Sequence, residues 1–300
     1  MPPAAPPAGT SAPLRHAYGP HASQYAELLL PARRLHRFVA VIIHGGFWRQ
    51  SYGAELGRPL AADLAARGIV SWNLEYRRTA GGDGGTPQTF EDVAAGLDAL
   101  SAVLAAAGID DGPRIGLGHS AGGHLAYWAA GRPQFPQGAP GAPGAGAGLL
   151  HGVVSQAGVL DLHLAHRLAL SNDAAGELLG SDPETDPSTW LHADPAAGPL
   201  PRVPLVMLHG TADADVPVSL ARSFASRAAA AGAPVSYQEF SGDHFGLITP
   251  GDPAWELSVA ALLELGTRAP TEQESIQSTA STAAPAATDR YIDCDTPQQP

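Results

Sequence analysis

The chain has 300 residues, a formal net charge of −12 and 44% hydrophobic residues, enough for one large α/β domain or two small ones. The acidic balance argues against a nucleic-acid partner. There is no lysine, so Schiff-base and Ser–Lys chemistries are excluded. The single cysteine, Cys294, excludes an internal disulfide framework.

Residues 1–13 are rich in Pro and Ala. They lack the basic and apolar regions of a secretory signal, and no apolar run in the chain is long enough to span a bilayer. A cytoplasmic protein without a membrane partner is the expectation. Residues 1–13 and 268–300 read as disordered tails by composition, which leaves 14–267 as a single domain.

Taken in order, that domain alternates strand-like and helix-like segments. Phe38–Ile43 is a continuous apolar run of the kind a buried parallel strand requires. Gly53–Arg67 has helical spacing through Leu56, Leu60 and Leu64, with Gly68 as its stop. A strand is predicted over Ile69–Leu74. One long helix is predicted over Thr89–Ala107, with Phe90, Val93, Leu97, Leu100 and Leu104 on a common face and Gly108 behind it.

Strand Arg114–Leu117, helix Ala121–Ala130 and strand Gly152–Ser155 follow. After them come strand Pro204–Leu208, helix Val218–Ala231, strand Val235–Glu239 and helix Ala254–Leu265. Such β-then-α repetition predicts a mostly parallel central sheet with helices on both faces. Residues 133–149, which include the run GAPGAPGAGAG, read as a flexible insertion. Residues 161–201 break the alternation with Pro and Gly and a few short helical pieces such as Asn172–Leu179. They read as a small lid-like excursion above the strand ends.

The run Ile115–Gly116–Leu117–Gly118–His119–Ser120–Ala121–Gly122 ends an apolar strand in G-x-S-x-G and opens a helix. This is the layout of a nucleophile elbow, which lifts one serine hydroxyl clear of the sheet. Flanking glycines suit a turn with no room for Cβ atoms, and the Ala121 amide at the helix start is aimed at an oxyanion formed beside Ser120.

Ser120 needs a base and a group to orient that base. In an elbow fold both follow in the order Ser…Asp…His. Asp213, after strand Pro204–Leu208, is the candidate acid, with Asp215 its rival. Either could instead be a turn or N-cap aspartate. His244, after strand Val235–Glu239, is the candidate base. In a parallel sheet these loops share the carboxyl edge where ligand sites lie.

His44–Gly45–Gly46–Phe47–Trp48 directly follows the first long strand, and its Gly45–Gly46 amides are candidates for the second half of the oxyanion hole. The His44 side chain reads as structural. Phe47 and Trp48 read either as walls of a substrate pocket or as core under the loop. His163 and His166 stand three apart with no glutamate in a metalloprotease arrangement, so no metal is expected, and nothing in the chain calls for a cofactor.

These four motifs, in this order over residues 16–266, resemble the α/β-hydrolase family. Within it they resemble the HGG-type esterase/lipase group of kynurenine formamidase-like proteins and small bacterial carboxylesterases. The stretch from Tyr18–Gly19–Pro20 to Leu30–Pro31 looks like the first strand of that group. The resemblance implies Ser120 as nucleophile, Asp213 as acid, His244 as base, and Gly45, Gly46 and Ala121 as oxyanion donors. The form Gly210-x-x-Asp213-x-x-Val216–Pro217 favours Asp213 over Asp215.

The expected activity is cleavage of a small-molecule carboxylic ester through an acyl-enzyme. An aryl formamide is the alternative substrate, and an inactive hydrolase-fold binding module the alternative of another class. The acyl group, the leaving group and the oligomeric state are left open.

Overall fold

The computed structural model describes residues 12–269. Cys294 and most of the two expected tails lie outside the described residues.

The strands are β1 (Leu14–Ala17), β2 (Tyr25–Leu29), β3 (Val39–Ile43), β4 (Val70–Leu74), β5 (Arg114–His119), β6 (Gly152–Gln156), β7 (Leu205–Gly210) and β8 (Val235–Phe240). They form one sheet in the order β1-β2-β4-β3-β5-β6-β7-β8. Only the β1–β2 and β2–β4 pairings are antiparallel. The others are parallel, as the β-then-α alternation predicts.

Strand β3 is buried along its whole length because successive side chains enter opposite faces of the sheet. Val39, Val41 and Ile43 pack into one core, whereas Ala40 and Ile42 pack into the other. Burying each large aliphatic side chain contributes about 1.5–3 kcal/mol, so two-sided burial explains why this run has no polar alternation.

Helix α1 (Arg58–Ala66) and the last helix cover one face. Helices α2 (Gln88–Asp98), α3 (Leu100–Ala106) and α4 (Ala121–Ala130) cover the other, together with α5 (Leu162–Arg167), α6 (Leu170–Leu179), α7 (Pro187–Ala193) and α8 (Val218–Ala230). The last helix, α9, spans Pro253–Arg268, so Arg268, expected in a tail, still belongs to it.

Two local expectations differ. The helix expected over Thr89–Ala107 is two helices that meet at Ala99. The break follows Asp98, whose carboxylate takes both terminal nitrogens of Arg132, at 2.9 Å each, and the Gly148 amide at 2.7 Å. The helix expected from Gly53 begins as a short 3₁₀ turn, Ala54–Leu56, before α1.

Helix α6 opens with Ser171, Asn172 and Asp173 all left-handed, at φ 50°, 55° and 57°. Asn and Asp tolerate that conformation better than other non-glycine residues. Residues 161–194 thus carry three short helices. The 133–149 segment is tied at its middle and end to the residue before it, because the fully buried Arg132 also bonds the Gly141 and Gly148 carbonyls, at 2.7 and 3.0 Å.

Candidate active site

Register fixes which loops meet at the carboxyl edge. Ile43 pairs with Gly118, His119 with Gln156, Leu208 with Gln238 and Gly210 with Phe240. The loops after β3, β5, β7 and β8 therefore leave the sheet side by side.

After β5 the chain turns sharply. Ser120 has φ 53° and ψ −119°, outside the basins a non-glycine residue prefers. The surroundings hold it there. Its amide bonds the Gln156 carbonyl at 2.8 Å, and its carbonyl takes the amides of Gly123 at 2.9 Å and Val159 at 3.3 Å. The motif glycines are dictated by close approach. A Cβ on Gly118 would collide with the Gly122 carbonyl, and one on Gly122 with the carbonyls of Ile43 and His44.

The Ala121 amide opens α4 and has no carbonyl one turn earlier to bond. It sits at the positive end of the helix dipole, next to Ser120. Gly45 lies against the same turn, since a Cβ there would stand 3.0 Å from Ser120 Cβ and 2.8 Å from the His119 carbonyl. Gly46 takes φ 106° and is followed by Phe47 and Trp48 at φ 49° and 57°, a left-handed run that only glycine opens without strain.

The His44 side chain is locked beneath this loop. Its Nε2 is 3.1 Å from Glu75 Oε1, its ring stacks on Tyr76 at 4.4 Å, and Tyr76 donates its hydroxyl to the His44 carbonyl at 2.9 Å. Trp48, offered by the sequence as pocket wall or core, is core: it is 1% exposed, with His124 edge-on to it at 5.3 Å. Phe47 is half-buried and faces Trp48.

The loops after β7 and β8 bring Asp213 to His244, with His244 Nδ1 2.6 Å from Asp213 Oδ2. The other carboxylate oxygen accepts the Val216 and Asp215 amides at 2.8 and 2.9 Å. Burial alone would raise the Asp213 pKa, but hydrogen bonds from His209, His244 and the Val216 amide outweigh it and hold the group well below the usual carboxylate range. The carboxylate is therefore ionised and only accepts. His244 Nδ1 must carry the ring proton, which leaves Nε2 as the basic nitrogen. Asp215 is exposed and reaches this cluster through its backbone amide.

Two further histidines complete the cluster. His119 Nε2 is 2.9 Å from the His244 carbonyl, and its ring lies 4.4 Å from that of His244. Burial, followed by the adjacent His244, pushes the His119 pKa down to about 3. The ring is thus neutral and donates its Nε2 proton to that carbonyl. His209 Nε2 is 2.9 Å from the Val216 carbonyl and 3.3 Å from Asp213 Oδ2. The sequence analysis singles out neither His119 nor His209 as a site residue, since nothing in the order of residues says which histidine at a strand end turns toward the carboxylate.

Elsewhere, His163 and His166 bond Asp194 and Asp173, at 2.6 and 2.7 Å, and each ring stands edge-on to Trp190 at 5.1 Å. Among the described residues no group of three or more His, Cys, Asp or Glu side chains could hold a metal ion. No described helix is long and apolar enough to cross a membrane.

A parallel sheet with a strained serine between strand and helix, and with later loops delivering an aspartate and a histidine to the same edge, defines an α/β-hydrolase. The family model described as BD-FAE matches residues 27–227, and the chain belongs to that family. No curated protein matches it.

Among solved structures it is similar to esterase B of Lactobacillus rhamnosis inhibited by a tributyrin phosphonate. That likeness has a TM-score of 0.73 and 21% identity over 92% of this chain and 89% of that one. It is also similar to the Est2 esterase of the planctomycete Thermogutta terrifontis with propionate bound, at TM-score 0.65 and 24% identity over 86% and 96% of the two chains. A bacterial heroin esterase has TM-score 0.67 and 22% identity over 87% and 84%. At these identities the likeness establishes the fold.

Proposed function

We propose that the protein is a serine hydrolase that cleaves a small carboxylic ester through an acyl-enzyme. The observation that carries this reading is the His244–Asp213 hydrogen bond of 2.6 Å at the sheet edge where Ser120 stands on its strained turn.

Ser120 attacks the carbonyl while His244 Nε2 takes its proton. The same nitrogen then returns the proton to the departing alcohol, and water repeats the sequence on the acyl-enzyme. Asp213 fixes the tautomer and steadies the imidazolium. The amides of Ala121 and of the Gly45–Gly46 turn receive the oxyanion, a role in which each donor is worth ~10²–10³ in turnover. The acyl group is short: two structural neighbours carry short acyl ligands or their analogues, tributyrin phosphonate and propionate, and Ser120 and His244 are only 2% and 4% exposed.

The test is hydrolysis of p-nitrophenyl acetate and butyrate by the wild type and by Ser120→Ala. Loss of the nucleophile is expected to lower kcat by ~10⁶. A folded Ser120→Ala enzyme with wild-type turnover overturns the mechanism. Because His44–Gly45–Gly46–Phe47–Trp48 is similar to the formamidase signature, an aryl formamide belongs in the same panel. A kcat/KM advantage of orders of magnitude for it replaces the ester as substrate but keeps the residues. A fluorophosphonate that leaves Ser120 unlabelled in folded protein points to a binding module instead.

A further inference from the structure

We propose that His209 is a positioning residue for the candidate acid, sharing the Asp213 carboxylate oxygen with His244 and thereby setting how basic His244 is; this rests on the serine-hydrolase reading above. His209 Nε2 faces two oxygens, the Val216 carbonyl at 2.9 Å and Asp213 Oδ2 at 3.3 Å. A carbonyl and an ionised carboxylate both only accept, so the proton is on His209 Nε2; it is bonded to the Val216 carbonyl, and its 3.3 Å approach to Asp213 Oδ2 is the longer, second contact. Oδ2 is also the oxygen that takes His244 Nδ1–H at 2.6 Å. One carboxylate oxygen thus takes the His244 hydrogen bond and the close approach of the His209 N–H, and the His209 and Asp213 side chains are 1% and 0% exposed.

The consequence is electrostatic. A second donor on Oδ2 withdraws part of the negative charge that would otherwise stabilise imidazolium at His244. The Val216 carbonyl anchors the same N–H. It therefore also fixes the turn from Gly210 to Pro217 that aims Asp213.

The groups that face this cluster are few. His119 lies against the His244 ring, Glu239 interacts with His209 from β8, Asp243 interacts with Asp213 and His244 from the following loop, and Asp215 is exposed beside Asp213. Glu239 is already paired with Arg222, at 2.7 and 2.6 Å, so His209 is the imidazole donor beside His244 on the carboxylate itself.

The experiment is the pH profile of kcat/KM for p-nitrophenyl acetate in the wild type, His209→Leu and His209→Gln. Removing the N–H is expected to move the acid limb to higher pH by about half a unit to one unit and to lower kcat at neutral pH. Gln, whose amide nitrogen reaches the same place as Nε2, is expected to restore both. A folded His209→Leu enzyme with an unmoved acid limb overturns the proposal.

Because His209→Leu empties a buried polar position, a second measurement uses folded protein that keeps the histidine. With ¹⁵N-labelled histidine, Asp213→Asn is expected to shift the ring N–H resonances of both His209 and His244. Movement of His244 alone overturns the shared-oxygen arrangement. A folded wild type inactive on every ester and formamide of the panel overturns the hydrolase reading and this proposal with it. An active wild type with identical profiles in all three proteins overturns this proposal alone.

Discussion

His244 Nδ1 lies 2.6 Å from Asp213 Oδ2 although 31 residues separate them, because β7 and β8 run parallel in register and release their loops together. Replacing Asp213 by Asn would present an amide where a carboxylate now selects the Nδ1–H tautomer. We expect Asp213→Asn to fold and to lose ~10⁴ in kcat at neutral pH, with KM nearly unchanged. Steady-state kinetics on p-nitrophenyl acetate check this. A loss under tenfold would show that Asp213 does not orient the base.

At Gly122, α4 lies against the end of β3, where a Cβ would enter the space of the Ile43 and His44 carbonyls. Backbone carbonyls cannot swing aside as side chains do. Gly122→Ala is expected to destabilise the fold by about 1–3 kcal/mol and to depress turnover by displacing the Gly45–Gly46 turn. Thermal melts together with kcat measure the two effects separately. Ala tolerated with wild-type Tm and kcat would mean that the two segments are not in contact.

Arg49 ties the Gly45–Gly46 loop to helix α6. Its three nitrogens reach Ser171 Oγ at 2.8 Å, the Ser171 carbonyl at 2.6 Å and Glu177 at 2.8 Å. Lysine keeps the charge but not this planar fork. Arg49→Lys is expected to cost about 1–2 kcal/mol, since the lost bonds are charge-assisted but partly exposed. Limited proteolysis is expected to cut within residues 168–182 faster than in the wild type, and an unchanged digestion pattern would count against the tie.

Acid is expected to destabilise the protein below neutrality. Burial, then its neighbour His244, pushes the His119 pKa down to about 3, and burial pushes that of His124 down to about 4, both from 6.5. The unfolded chain therefore binds more protons than the native one between 6.5 and those values. The stability that the neutral rings supply is complete above pH 6.5 and is lost as pH falls toward 4 and 3. Asp213, also held below its ordinary value, adds a loss of the same sign below about pH 4. Each histidine gives up about 1 kcal/mol per pH unit in that window. Melts from pH 7.5 to 5 should show a continuous fall in Tm; a flat profile contradicts the buried neutral state.

The sequence determined what repeats locally. Two-sided burial leaves its mark on β3 as an unbroken apolar run, and the tight strand-to-helix turn itself requires a glycine at 118, where a Cβ would meet the Gly122 carbonyl. The class of fold and the identity of Ser120, Asp213 and His244 as candidates were legible for that reason. The β1–β2 hairpin and the helices of residues 161–194 carried little signal, because strand pairing at a sheet edge and short capped helices depend on neighbours remote in the chain.

Only the tertiary structure decided the partners. It gave Asp213 rather than Asp215 to His244, put Trp48 in the core, broke the helix at Ala99 where Asp98 meets Arg132, and turned His209 and His119 onto the cluster. A hydrogen bond depends on a few tenths of an ångström between loops that only the sheet register brings together, and no residue spacing encodes that distance.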